Sequence, residues 1–430
     1  MAKPPIVIIG AGPTGLISGR FLPGSVIYEK SACAGGLARS IRHNGFVFDI
    51  GFHFLGPLDP EAIEFLSVTG NRFQRFELKK EDIGIARDGR IWRGLAGPAD
   101  ISLQSDPCLA VATRLSYFIR RVFPKKEETL FDAAVNRYGD LYFHLFFKKV
   151  TQKIWGPFSS QIVTPRQADG SVTPRELLVK RLMRRLRKSS STQKKQGTPL
   201  LYPIPSFGSL SEKFAQGLDI RFNSSLTRIF FTGNRISGIE INGGEKIPCE
   251  HLVLAIPPYP LITLFDPSQE ILQQRSALQE RDLILVVLFF DADHILDEQL
   301  LYSYGDELFF RAYEPKSFSA EAGPEGKTVI CFEIYGTNSL ADEEIKTRTL
   351  KDLQRYYAVP APFDALVLRF PRAWPVFDKD FYTIARSMDQ FLSRFENVHI
   401  LHNAQTIAHG NRMNSVIKEV ARIAQEILSS

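Results

Sequence analysis

"IVIIGAGPTGL", residues 6–16, decides the fold. Ile6 to Ile9 are four apolar residues with no polar alternation, so they read as a strand buried on both faces. Gly10, Gly12 and Gly15 come next at GxGxxG spacing, and Pro13 and Thr14 open a helix at once. Each glycine has its own physical role in such a turn. The first permits a tight bend, the second lets backbone approach a pyrophosphate, and the third lets helix pack on strand. The helix N-terminus adds N–H groups and a positive dipole end at the same place. The turn alone accommodates NAD, NADP or FAD, so the choice rests on the residues downstream of it.

The next strand, "SVIYEK" (25–30), ends in Glu29, nineteen residues after Gly10. A carboxylate there accepts both hydroxyls of an adenosine ribose and repels a 2′-phosphate, which disfavours NADP. Directly after it comes "SACAGGLARS" (31–40), carrying Gly35, Gly36 and Arg39. A GG loop with a basic residue behind the ribose acid resembles the two-dinucleotide-binding-motif flavoproteins. The resemblance implies FAD as cofactor. Gly35 and Gly36 would bring backbone to it, Arg39 would offset pyrophosphate charge, and Lys30 and Leu37 would lie at the same edge.

The likeness extends along the chain. "GFVFDIGFHFLG" (45–56), "KKVTQKIWGP" (148–157) and "LLYPIPSFGSLSEKFA" (200–215) are similar to segments of the FAD-dependent amine oxidase and protoporphyrinogen oxidase superfamily. That superfamily includes UDP-galactopyranose mutases and carotenoid desaturases. It implies His53 at the flavin face, adenine bound by backbone at Leu226, and Arg311 and Trp374 in segments that approach substrate. Tyr202, Lys153 and Trp155 fall in segments of the same kind. The C-terminal stretch "NVHILHNAQTIAHGNRMNSVIKEV" (397–420) departs from the pattern. His402 and Asn403 stand where the superfamily has glycine and a charged residue. A helix start near Asn411 and Met413 would face the flavin edge.

The expected fold is α/β: an FAD-binding Rossmann-like domain with an inserted α+β substrate domain. The FAD-binding domain would comprise 1–70, 200–265 and 390–430. Residues 71–199 would form a mostly helical cap, and 266–389 a β-rich substrate domain. "LILVVLFF" (283–290) reads as a buried strand, too short to span a membrane. Turn signals break 220–257 into a β-meander.

The bulk numbers fit an enzyme of this kind. With 430 residues, 44% hydrophobic and 23% charged, the chain is an ordinary globular protein with a large core. Its four cysteines are scattered and form no CxxC pair, which argues against zinc or a disulfide framework, and no metal site is expected. No leader of the usual kind precedes the first strand, so a cytoplasmic location is expected. The net charge of +6 is local: eight of the 53 basic residues fall in 180–195, leaving 45 against 47 acidic ones. A nucleic-acid partner is therefore not expected. The basic stretch itself, "PRELLVKRLMRRLRK" (174–188), starts behind Thr173 as N-cap and spaces Leu178, Leu182 and Leu186 four apart. A helix of that kind can lie on an anionic membrane, so peripheral membrane contact through 174–188 is a second expectation.

Three activities suit these residues. The first is a flavin oxidoreductase taking hydride from a small or lipophilic organic substrate. The second is a mutase-like non-redox flavoenzyme acting on a nucleotide sugar, which needs arginines gripping a diphosphate. The third is a flavin-binding protein that has lost catalysis, suggested by the departure at His402 and Asn403.

Overall fold

A computed structural model describes residues 5–94, 106–188, 200–244, 246–336, 339–402 and 413–429. The chain divides into two compact units. Met1–Arg75, Leu200–Leu278 and Tyr382–Ser430 form the first, and Phe76–Pro199 and Gln279–Phe381 form the second.

The first unit is built on a five-stranded parallel sheet. Its order is Val398–Ile400, His251–Leu254, Ile6–Ile9, Val26–Tyr28, Asp219–Arg221. Ile6–Ile9 lies at the centre, with Val7 and Ile8 fully buried, as an apolar strand covered on both faces requires. The helix Pro13–Phe21 succeeds the glycine turn and contacts the final helix, Met413–Leu428, and the helix Gly208–Ala215. Strands Leu226–Thr232, Arg235–Ile241 and Lys246–Pro248 make the antiparallel meander beside this sheet, with turns at Thr232–Arg235 and Ile241–Gly244.

The second unit is built on a seven-stranded mixed sheet. "LILVVLFF" lies in the strand Glu280–Phe290, between Asp364–Pro375 and Thr328–Tyr335, antiparallel to both. The helix Asp342–Gln354 covers one face of this strand: Ile345 and Leu353 pack with Ile284, Val286, Leu288 and Phe290. Leu285, Val287 and Phe289 on the other face are fully buried too, which explains why the strand is apolar without alternation.

Residues 71–199 are less helical than the sequence suggests. Ile83–Arg87 and Arg90–Arg93 form an antiparallel hairpin, and the first of these strands runs parallel to Leu300–Ser303. The reason is the turn Asp88-Gly89, both at positive φ (52° and 73°), the Asp-Gly pair of a tight hairpin. This hairpin completes the seven-stranded sheet, so the helical and β-rich segments share one unit.

Candidate functional site

The glycine turn is shaped by contact on one side and open space on the other. Gly10 has φ +98°, and a Cβ there would lie 2.4 Å from Ile256 Cγ2. A Cβ on Gly15 would come within 1.9 Å of the Gly10 carbonyl oxygen, so helix and turn touch only because residue 15 is glycine. Gly12 is the opposite case: nothing lies within 4 Å of where its Cβ would be. The helix behind it has no side-chain cap, Pro13 in its first turn and no acidic residue there. Its N-terminal dipole therefore faces open space, as anion binding requires.

Two further elements close around the turn. Glu29 is buried; Oε2 accepts the Ala11 N–H at 2.8 Å and Oε1 the Ser31 N–H at 2.8 Å. The Gly35 N–H donates to the Ala11 carbonyl at 2.7 Å, and Arg39 Nη1 donates to the Gly36 carbonyl at 2.7 Å. Ala11 thus ties both glycine loops and the acid into one assembly. The buried hydroxyl of Ser211 has no partner among the described residues, and its Cβ sits 3.2 Å from where a Gly35 Cβ would be. An open glycine, an uncapped helix start, an orphaned hydroxyl and a nearby guanidinium together fit the diphosphate of FAD. Thr14 is buried in the helix, whereas Lys30 and Leu37 are exposed beside the loops. Leu226 opens its strand at a bulge, where pairing slips between Leu226 and Arg228 and backbone is re-aimed out of the ladder.

His53 is held by a network that sequence reading passed over. Asp49, fully buried, accepts from Ser40 Oγ at 2.5 Å, Tyr202 Oη at 2.5 Å and the Phe207 N–H at 3.0 Å. Burial raises its pKa, and these donors and the nearby His53 oppose that rise. Ser40 Oγ in turn accepts the Gly208 N–H at 2.8 Å, so the hairpin Ser40–Asp49 is fastened to the helix Gly208–Ala215. His53 Nδ1 lies 2.9 Å from the Gly51 carbonyl and its ring packs on Phe207 at 5.2 Å. Tyr202 is 1% exposed and its hydroxyl is engaged by Asp49, which gives it a structural reason to be there. At the C-terminus, His402 is half-buried just after the strand Val398–Ile400, and Met413 opens the final helix. Asn403 and Asn411 lie outside the described residues.

In the second unit, Arg311 and Trp374 stand on one aromatic wall. Arg311 packs over Tyr302 and Phe310, Phe310 meets Tyr335 at 5.6 Å, and Tyr335 meets Trp374 at 6.4 Å. Trp155 and Phe377 extend it from Trp374. Arg311 is not a loose cation. Its Nη2 donates to Glu333 Oε1 at 2.6 Å and Oε2 at 2.9 Å, and Nε donates to Oε1 at 3.0 Å. Burial opposes the charge, but Glu333 together with Tyr302 and Tyr335 outweighs it and raises the guanidinium pKa. Tyr335 donates to the same carboxylate at 3.0 Å; burial, then Glu333, pushes its pKa well up.

Arg281, also missed from sequence, braces this wall from behind. It donates to the carbonyls of Ile154 (3.2 Å) and Tyr335 (3.1 Å). Its guanidinium fills the space where side chains on Gly156 and Gly336 would stand, 2.7 and 2.2 Å from their would-be Cβ atoms. Lys153 points elsewhere: its ammonium donates to the Glu307 carbonyl, and burial pulls its pKa down to about 8.

Comparison with known proteins places this geometry. The NAD(P)-binding Rossmann-like domain matches residues 8–67, and flavin containing amine oxidoreductase matches 142–419. The chain belongs to the flavin-containing amine oxidoreductase family. It is accordingly an FAD-dependent oxidoreductase of α/β fold. No curated protein matches it in sequence. Among solved structures it is similar to reduced UDP-galactopyranose mutase (TM-score 0.80, 15% identity, 100% of this chain and 94% of that one). A protein assigned as a protoporphyrinogen oxidase, from Exiguobacterium sp. 255-15, has TM-score 0.72 at 15% identity, with both chains covered in full. Wild-type putrescine oxidase bound to putrescine has TM-score 0.60 at 14% identity, with 99% of each chain covered. Identities this low establish the fold. Among the described residues no helix is long and apolar enough to cross a membrane.

Proposed function

We propose that this flavoenzyme oxidises a small or lipophilic organic substrate at a C–H or C–N bond. FAD, when bound, supplies the acceptor for the hydride and its two electrons. The substrate carbon is left in a C=C, C=O or C=N bond and the remaining proton is released. In this reading the first unit holds the cofactor. Glu29 takes the ribose hydroxyls, and Gly12 and the helix start take the diphosphate with Arg39 beside them. Gly35, Gly36, Leu226 and the segment about His402 and Met413 complete the cradle. Glu29 keeps two lone-pair positions for the ribose, because among the described residues each carboxylate oxygen accepts a single backbone N–H. His53 of the first unit and Arg311 and Trp374 of the second are the proposed catalytic residues.

The observation that carries the choice of substrate is the pairing of Arg311 with Glu333 inside an aromatic wall. A diphosphate needs an arginine with donors and charge to spare. Glu333 takes the Nε and Nη2 donors and offsets the charge, and Nη1 is turned to Tyr302 Oη, so the wall is aromatic and close to neutral. That favours an amine or a lipophilic alkene or heterocycle over a nucleotide sugar, and so favours oxidation over the mutase reaction.

The test is anaerobic mixing of the holoenzyme with amines, porphyrinogens and UDP-galactopyranose, and then visible absorption. Bleaching of the oxidised flavin by a substrate from the first two groups supports the proposal. Isomerisation of the nucleotide sugar, seen only after chemical reduction of the enzyme, would replace it with the mutase reading. A bound flavin reducible by dithionite but inert to every substrate would favour the non-catalytic reading.

A further inference from the structure

Two helices of the second unit leave apolar faces uncovered. On Pro107–Val122, a 16-residue helix, Val111, Leu115, Phe118, Ile119 and Val122 share one stripe, and Phe123 stands at its end. Phe118 is 64% and Phe123 69% exposed, and the other four are 42–59% exposed. The stripe is about 18 Å long at the helical rise of about 1.5 Å per residue. The opposite face holds Ala110 and Thr113, both fully buried, so this helix is packed normally and its second apolar side is surplus to folding. Isolated exposed apolar residues are ordinary on a soluble protein; six on one helical stripe are not.

The second helix is Pro174–Lys188. Thr173 and Glu176 form a reciprocal cap at its start: the Thr173 N–H donates to Glu176 Oε2 at 2.7 Å and Thr173 Oγ1 accepts the Glu176 N–H. Leu178, Val179 and Met183 are 44–56% exposed. The two helices touch. Arg181 Nη1 donates to the carbonyls of Arg120 (3.2 Å) and Arg121 (2.8 Å) at the end of the first, and Nη2 to Asn136 O at 3.1 Å. Charge on the two helices themselves is one-sided, although Arg120 is paired with Asp140 at 2.5 and 3.1 Å. The second helix carries Arg175, Lys180, Arg181, Arg184, Arg185, Arg187 and Lys188 against Glu176 alone, and the first carries Arg114, Arg120 and Arg121 with no acid between Pro107 and Val122.

We propose that these two helices form a docking surface for an anionic lipid membrane. The apolar stripe would enter the headgroup boundary while arginines and lysines meet lipid phosphates. Charge chooses this occupant. The basic excess of the whole chain is concentrated here, and a bilayer is the partner that offers anionic charge and apolar depth over one flat area. The docking is peripheral, because neither helix is apolar enough to span.

The experiment is co-sedimentation of the holoenzyme with phosphatidylcholine vesicles, pure or mixed with phosphatidylglycerol. The mixed vesicles should bind it at least roughly tenfold more tightly, with release as salt is raised, since the negative surface attracts basic residues within a Debye length. L115E/F118E, two exposed positions, should lose the binding while keeping far-UV circular dichroism and flavin content. Absence of binding to mixed vesicles at low salt would overturn the proposal, as would wild-type binding by L115E/F118E. A wild-type dimer that L115E/F118E converts to monomer, with no vesicle binding by either, would overturn it by assigning the face to a second copy of the chain.

Discussion

Gly15 cannot carry even a methyl group, because a Cβ would stand 1.9 Å from the Gly10 carbonyl oxygen. Backbone cannot step aside as a flexible side chain can, so Gly15→Ala should destabilise by about 3 kcal/mol or more, at the upper end of overpacking costs. Urea unfolding of the two proteins measures it, and the variant should also retain less flavin. Glu314 gives a pH-dependent case. It is buried, accepts the Ile295 N–H at 2.9 Å and Thr328 Oγ1 at 3.2 Å, and burial pushes its pKa up from the ordinary 4.5 to about 6. The native state therefore holds this proton more tightly than the unfolded chain. Its stabilising contribution is complete below about pH 4.5 and is lost as pH rises through about 6. Glu314→Gln keeps the acceptor without the charge. It should be more stable than wild type at neutral pH, by at most about 2 kcal/mol, with the advantage gone below about pH 4.5. Thermal unfolding at both pH values decides it.

Between elements, Arg281 is the brace that sequence reading had no means to find. The strand Glu280–Phe290 supplies it, and Gly156 and Gly336, far apart in the chain, vacate the space it fills. Gly336→Ala should cost about 1–3 kcal/mol through the clash and its φ of +113°. Combined with Arg281→Ala, the clash part should disappear, giving a coupling above about 0.5 kcal/mol in a double-mutant cycle. Strict additivity would mean the two do not share that space. Glu333→Gln tests the neighbouring pair. It leaves the buried guanidinium of Arg311 uncompensated and should cost about 3–5 kcal/mol. What was legible at this scale was local: the glycine turn, the acid at the end of the second strand, the apolar run 283–290 and the helix start at Thr173. Each is announced by contiguous residues. Asp49, Ser211, Glu333 and Arg281 act through partners distant in sequence, and the hairpin at Asp88-Gly89 was hidden by the helical rhythm around it.

For the whole molecule, the order of segments was readable because FAD-binding signatures recur at 6–56, 200–215 and 226, on either side of an insertion. Which residues of the second unit meet which was not, since a mixed sheet joins strands from 83–93 with strands from 280–375 through long-range pairing. The aromatic wall that carries Arg311 and Trp374 belongs to that sheet. The assembly around Ala11 is proposed to hold one FAD per chain despite the unusual His402 and Asn403. The most direct test is the visible spectrum of the purified protein, with flavin released by heat denaturation identified and quantified beside Glu29→Ala. Flavin absorption bands and FAD in equimolar amount are expected for the wild type, with a large loss in Glu29→Ala that excess FAD partly restores. A colourless wild-type protein that takes up no added FAD would contradict it.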